Sequence, residues 1–130
     1  MNQEEHIKYW IDSAEDDLDS AFVIYFSKKY HWSLFIGHLS LEKLLKALYV
    51  QSTNNKVPPR IHNLLKLAEL SNISLNQEQM EFFSEINRFH IEARYSEFKD
   101  ELRKIATEEF TIKYLNKIKE HFQWLKSLIK

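Results

Sequence analysis

Cysteine is absent from the 130 residues, which excludes a disulfide framework, a thiolate metal site and a thiol nucleophile. One glycine and two adjacent prolines leave little punctuation for strands joined by tight hairpin turns. The single glycine also excludes a glycine-rich phosphate loop, and no serine sits in a nucleophile elbow. No uninterrupted apolar run reaches membrane-spanning length. The start, Met-Asn-Gln-Glu-Glu-His, lacks a basic region followed by an apolar stretch, so a soluble cytoplasmic protein with no membrane partner is expected. Charge of one sign is also missing. Eighteen Lys and Arg against nineteen Asp and Glu give −1, so no whole-molecule field draws the chain onto a phosphate backbone, and only a local basic patch remains open.

What is present points to an all-α protein. The length suits one domain, 1–130, and a chain of this size buries roughly two-thirds of its unfolded surface, enough for a core without staples. Neither a solenoid-length repeat nor a low-complexity linker divides it. The expected architecture is an antiparallel bundle of four main helices with an additional short one.

The first helix is predicted from about Gln3 to Ser27, with Asn2 as cap and Glu5 reaching back to it. Ile7, Trp10, Ile11, Ala14, Leu18, Ala21, Phe22 and Tyr25 recur at helical spacing. The opposite face, with Asp12, Glu15, Asp16 and Asp19, reads as a solvated surface favoured near its start by the helix dipole. A second helix, about Trp32 to Gln51, carries a broad stripe of Leu34, Phe35, His38, Leu41, Leu45, Leu48 and Tyr49, with Ile36, Leu39 and Val50 on the other side. A helix apolar on two sides is either the centre of the bundle or part of a subunit interface. Gly37 permits close approach of a neighbouring helix, or is a weak spot in its own.

The run from Ser52 to Arg60 cannot stay helical through Pro58 and Pro59 and forms the main loop. A short helix near Ile61 to Leu70 follows, then a long one from Gln77 to Arg94, with Asn76 and Gln79 as a capping pair. Met80, Phe83, Asn87, His90, Ile91 and Arg94 share one side of it. Tyr95 to Ala106 reads as irregular or partly helical, since Phe98, Leu102 and Ile105 give only a short amphipathic register. Thr107 caps the last helix, Glu108 and Glu109 fall in its first turn, and Lys126 and Lys130 near its end, as the dipole prefers. Phe110, Tyr114, Ile118, Phe122, Leu125 and Ile129 form its buried row.

Ionisable groups along an apolar helix ask for a reason. His38 and Glu42 stand one turn apart, so they can meet either as an acid/base pair or as an ordinary buried hydrogen bond. Lys46 extends the row by another turn and can neutralise Glu42, contact a phosphate or snorkel to water. His62, after the Pro-Pro loop, faces solvent, caps the short helix or points at an anion near free backbone donors. Arg94 closes a long helix among unsatisfied carbonyls, or its planar fork holds phosphate or carboxylate while Tyr95 offers a stacking face. The six histidines are scattered, with no His-x-x-x-His or Glu-x-x-His pair on one helix face, so no metal site and no cofactor are expected.

Four segments together resemble the HEPN family, small helical domains named for higher eukaryotes, prokaryotes and nucleotide binding. They are Trp10-Ile-Asp-Ser-Ala14-Glu15-Asp16-Asp17-Leu18-Asp19-Ser20-Ala21, His38-Leu-Ser-Leu-Glu42-Lys43-Leu-Leu-Lys46-Ala47-Leu48, Pro58-Pro59-Arg60-Ile61-His62-Asn63-Leu64 and Asn87-Arg88-Phe89-His90-Ile91-Glu92-Ala93-Arg94-Tyr95. The resemblance implies a homodimer that recognises a nucleotide or RNA, or that pairs with a small nucleotidyltransferase in a toxin–antitoxin or stress-type system. Its implied ligand pocket draws on His62, Arg94 and Tyr95, with Lys46, Glu42 and His38 as neighbours, and Ala93-Arg94-Tyr95 is the piece most like the family signature. A histidine after the loop recurs in that family.

Many relatives cleave RNA with an Arg followed one to two turns later by a His on the same helix. Here Arg60 precedes His62, and Arg88 precedes His90, by two positions, which puts each pair on different helix faces. The expectation is therefore a binding and interaction module. The alternatives are a divergent metal-independent ribonuclease, its base and cation assembled across a dimer cleft, and a purely structural helical assembly protein.

Overall fold

The computed structural model describes the backbone of residues 1–130 and the side chains of all but 96–99. Six helices follow one another: α1 (Gln3–Phe26), α2 (Tyr30–Ser52), α3 (Leu64–Leu70), α4 (Gln77–Arg94), α5 (Ser96–Ile105) and α6 (Glu108–Ser127). The chain is an all-α bundle.

Local chemistry fixes most of the boundaries. Asn2 accepts a hydrogen bond from the Glu5 amide at 2.8 Å while the Glu5 side chain reaches back, a complete capping box, and Asn76 with Gln79 repeats it on α4. Thr107 starts α6 by accepting from the Phe110 amide. The turn between α1 and α2 places Lys28 at φ 65°, and Gln3 Nε2 donates to the Gln51 carbonyl at 3.3 Å, so the two helices run antiparallel along their length. After α2, Asn54 and Asn55 adopt φ of 57° and 79°, a conformation asparagine tolerates, and lead into the Pro58-Pro59 segment.

Helix α2 is the axis of the bundle. It packs against α1, α6, α4 and α3, and Leu34, Leu41, Leu44, Leu45, Ala47 and Val50 are fully buried. Its second apolar side is thus covered largely by the chain itself, with Val50 enclosed and Ile36 and Leu39 half-buried. Of the two readings of a helix apolar on both sides, the bundle centre is the one the packing satisfies. At Gly37 α6 packs tightly: a Cβ there would lie 2.8 Å from Ile118 Cδ1.

Two segments depart from the sequence expectation. The stretch expected to be irregular or partly helical is helical over Ser96–Ile105 as α5, restarted after the extended Tyr95 (φ −95°, ψ 125°), with Leu102 fully buried. Phe98, part of that reading, falls outside the described side chains. The short helix begins at Leu64 rather than Ile61, because Asn63 accepts from the amides of Leu65 and Lys66 and is its cap. Among the described residues, no helix is long and apolar enough to cross a membrane.

Candidate functional site

Three elements converge on one buried carboxylate. Helix α2 supplies His38, Glu42 and Lys46, the segment before α3 supplies His62 and Asn63, and α4 supplies Asn87, His90 and Arg94. Glu42 is nearly enclosed, and its two oxygens are divided between partners. Oε1 lies 2.8 Å from His62 Nδ1 and 3.9 Å from His38 Nδ1; Oε2 accepts from Lys46 Nζ at 3.1 Å. A buried carboxylate needs such pairing, since an uncompensated charge in the interior is costly.

His62 is held on two sides. Glu42 fixes Nδ1, and the ring stacks on His90 with centroids 4.4 Å apart and planes 26° off parallel. Its side chain remains 48% exposed, so the opposite edge of the imidazole faces solvent. It is not the α3 cap, which is Asn63. Asn87 braces the same corner from α4: Oδ1 accepts from the Leu64 amide at 2.9 Å and Nδ2 donates to Asn63 Oδ1 at 3.0 Å. A cleft of about 120 Å³ opens between His62, Asn63, Asn87, His90 and Ile91.

His90 is the hub. Besides His62 it touches the ring of His38 (centroids 4.8 Å) and of Phe35 (5.3 Å), and Arg94 Nη1 lies 3.5 Å from its Nε2 one helical turn on. Arg94 itself is exposed, and its guanidinium carbon stands 5.9 Å from the centre of the half-exposed Tyr95 ring. Burial pushes the His38 imidazole down to about 3, assisted by the charge of His90. His90 is pushed down to about 4, by burial first and then by His62 and Arg94, with Glu42 opposing. Both are therefore neutral imidazoles at neutral pH, each with one ring nitrogen able to accept, and in His90 the nitrogen facing Arg94 is Nε2.

The residues expected at the pocket fall into two layers. His38, Glu42 and Lys46 form a buried floor, where Lys46 neutralises Glu42 instead of reaching open water; its Nζ also sits 5.5 Å over the Trp10 ring. His62, Arg94 and Tyr95 form the open rim, joined to the floor through His90. Sequence reasoning had not singled out His90, Asn87 or Asn63 as part of the site. The available signal was a polar row, Asn87, His90 and Arg94, at spacings of three and four along one side of α4. The histidines that looked scattered are partly gathered: His38, His62 and His90 share one cluster. His38, Glu42 and His90 each present a metal-ligating atom, and those atoms lie within 4.8 Å of one another.

His6 and His121 stand apart from this corner. His6 Nδ1 pairs with Asn55 at 2.9 Å, and His121 Nδ1 donates to the Lys117 carbonyl at 2.7 Å. The acidic face of α1 is mainly solvated, with Asp12 paired to Lys8 and Glu15 to Lys126. Neither feature contributes to the cleft.

No curated protein and no solved structure matched this chain. A family model did: the HEPN domain spans residues 7–128, nearly the whole sequence and every residue of the corner just described. With its helical bundle and the His38 to Lys46 and Arg94-Tyr95 segments inside that span, the chain belongs to the HEPN domain family.

Proposed function

We propose that this HEPN domain binds the phosphate-bearing part of a nucleotide or of RNA at the rim formed by His62, His90 and Arg94, with Tyr95 as a stacking face for the base. The observation that carries this reading is the orientation of His62: clamped by the buried Glu42 and stacked on His90, with its outer edge open to solvent. Glu42 spends its charge inward on Lys46 and His62. What faces outward is the imidazole edge and, on the next turn of α4, an exposed guanidinium, a pairing suited to an anion.

The same reading extends to partners. A second copy of the chain, or a small nucleotidyltransferase encoded beside it in a toxin–antitoxin or stress-type pair, covers the rim. Family membership and the exposed Ile91 and Tyr95 bordering the rim support this. Size-exclusion mass measurement, alone and with the product of the neighbouring reading frame, tests it; a monomer in both mixtures removes it.

A second reading is metal-independent RNA cleavage. It is favoured by His90 and Arg94, a neutral base and a cation 3.5 Å apart on one helix, in the reverse order to that of ribonuclease relatives. Incubating the protein with RNA and measuring nucleotide affinity in parallel separates the two. Binding lost at least tenfold in Arg94→Ala and His62→Ala, with RNA intact throughout, is the expected result. Cleavage by wild type that disappears in either variant replaces binding with catalysis, and unchanged affinity in both variants removes the site altogether.

A further inference from the structure

The floor of the corner holds an arrangement that phosphate recognition does not use. His38 is completely enclosed, neither ring nitrogen has a partner in good hydrogen-bond geometry, and the polar groups that face it are the Asn87 side chain and the His62 backbone, both acting on it as weak hydrogen-bond partners. Buried polar nitrogens are ordinarily well satisfied, so a fully enclosed imidazole with only poorly aligned partners asks for a reason. Across from it stand the Glu42 carboxylate, with Oε1 3.9 Å from His38 Nδ1, and the His90 ring. The ligating atoms of all three fall within 4.8 Å of one another.

We infer that His38, Glu42 and His90 form a divalent transition-metal site of the zinc class. Two imidazoles and one carboxylate are a donor set that zinc accepts with a fourth position left open, and borderline ligands of this kind disfavour the all-oxygen cations. His38 and Glu42 are one turn apart on α2, and His90 reaches them from α4, so two packed helices position the donors. Ligand atoms around a tetrahedral zinc sit about 3.3 Å apart, given bonds of about 2.0 Å. The 3.9 Å pair is close to this, and the widest spacing of 4.8 Å closes through side-chain torsions on helices already fixed by packing. Glu42 Oε1 accepts from His62 through one lone pair and keeps another for the ion, while Lys46 holds Oε2. His62 thereby becomes the outer partner that orients the ligating carboxylate. His90 is the one donor that also lines the cleft, and His38 and Glu42 lie behind it, out of solvent. This inference does not depend on nucleotide recognition, and its test uses the metal alone.

Purified full-length protein is stripped with a chelator, dialysed and titrated with Zn²⁺ by calorimetry, and with Co²⁺ by visible absorption. The expected result is one equivalent per chain, with tetrahedral Co²⁺ bands, weakened at least tenfold in His38→Gln and in His90→Gln. His121→Ala, in the surface cluster with Glu78, Glu81 and Glu120, leaves it unchanged. Absence of stoichiometric binding, or affinity that survives both glutamine variants, overturns the site. Should either variant fail to fold, imidazole ¹⁵N spectra of the wild type decide. Zinc shifts the ring nitrogens of His38 and His90 if the inference holds, and only those of His6 or His121 if it fails.

Discussion

Two regions of this molecule carry charge in opposite ways. On the outer face of α1, Lys8 pairs with Asp12 and Glu15 with Lys126, all largely open to water. Between α2, α3 and α4, the Glu42 carboxylate is almost wholly out of it, paired with the equally buried Lys46 and with the inner edge of the half-exposed His62. Exposed pairs give little net stability because water already solvates both ions and salt screens them. A buried carboxylate has lost that solvation and depends on each partner it retains. The contrast teaches that the charge pattern of α1 is about solubility, whereas the row His38, Glu42 and Lys46 commits the fold to keeping a polar chamber intact.

Breaking the inner region has the largest expected effect. Glu42→Ala strands Lys46 in a site where only 9% of its side chain is exposed, and the expected loss is about 3–5 kcal/mol in urea denaturation. A loss below about 1 kcal/mol would place the two regions on equal footing. Acid comes next, in metal-free protein. Folding holds His38 near 3 and His90 near 4, against an ordinary 6.5 in the unfolded chain. The unfolded state therefore binds more protons as pH falls below about 6.5. Stability is complete above that value and declines toward pH 4, with His38 alone contributing on the order of 3 kcal/mol. Denaturation midpoints measured across that window check the slope, and a flat profile contradicts it.

A smaller effect is expected at the edge of the chamber. Asn87→Ala removes the acceptor of the Leu64 amide and the donor to Asn63, with an expected cost of about 1–2 kcal/mol. It also loosens the segment bearing His62, so nucleotide affinity falls along with stability. The outer region completes the order: Glu15→Gln breaks the pair with Lys126 and shifts stability by less than about 0.5 kcal/mol, an effect read by the same denaturation assay.

The legibility of the sequence divides along the same line. Capping chemistry is local, so Asn2 with Glu5, Asn76 with Gln79, and Thr107 announced three helix starts, and the α4 end at Arg94 followed from the pattern beyond it. The i, i+4 row on α2 was equally visible, because helical spacing alone lets Glu42 meet His38 and Lys46. His62 was visible as a residue but not as the partner of Glu42, because that contact crosses 20 residues and a proline loop. His90 was hidden for a different reason: its polar row with Asn87 and Arg94 shares a side of α4 with Met80, Phe83 and Ile91, and only the approach of His38 and His62 from other elements marks it out. The His38-x-x-x-Glu42 pair on α2 is visible in sequence, whereas the third member of its cluster, His90, lies on another helix. Helix α5 was legible only as irregular or partly helical, because its amphipathic register is short.

The most direct test of the central claim, that the corner between α2, α3 and α4 receives a phosphate-bearing ligand, is chemical-shift mapping of ¹⁵N-labelled protein titrated with a nucleoside triphosphate. Shifts concentrated on His62, Asn63, His90, Arg94 and Tyr95 are the predicted result. Shifts that gather on the separate basic cleft of Lys28, Lys29 and Arg103, or none at millimolar nucleotide, contradict it.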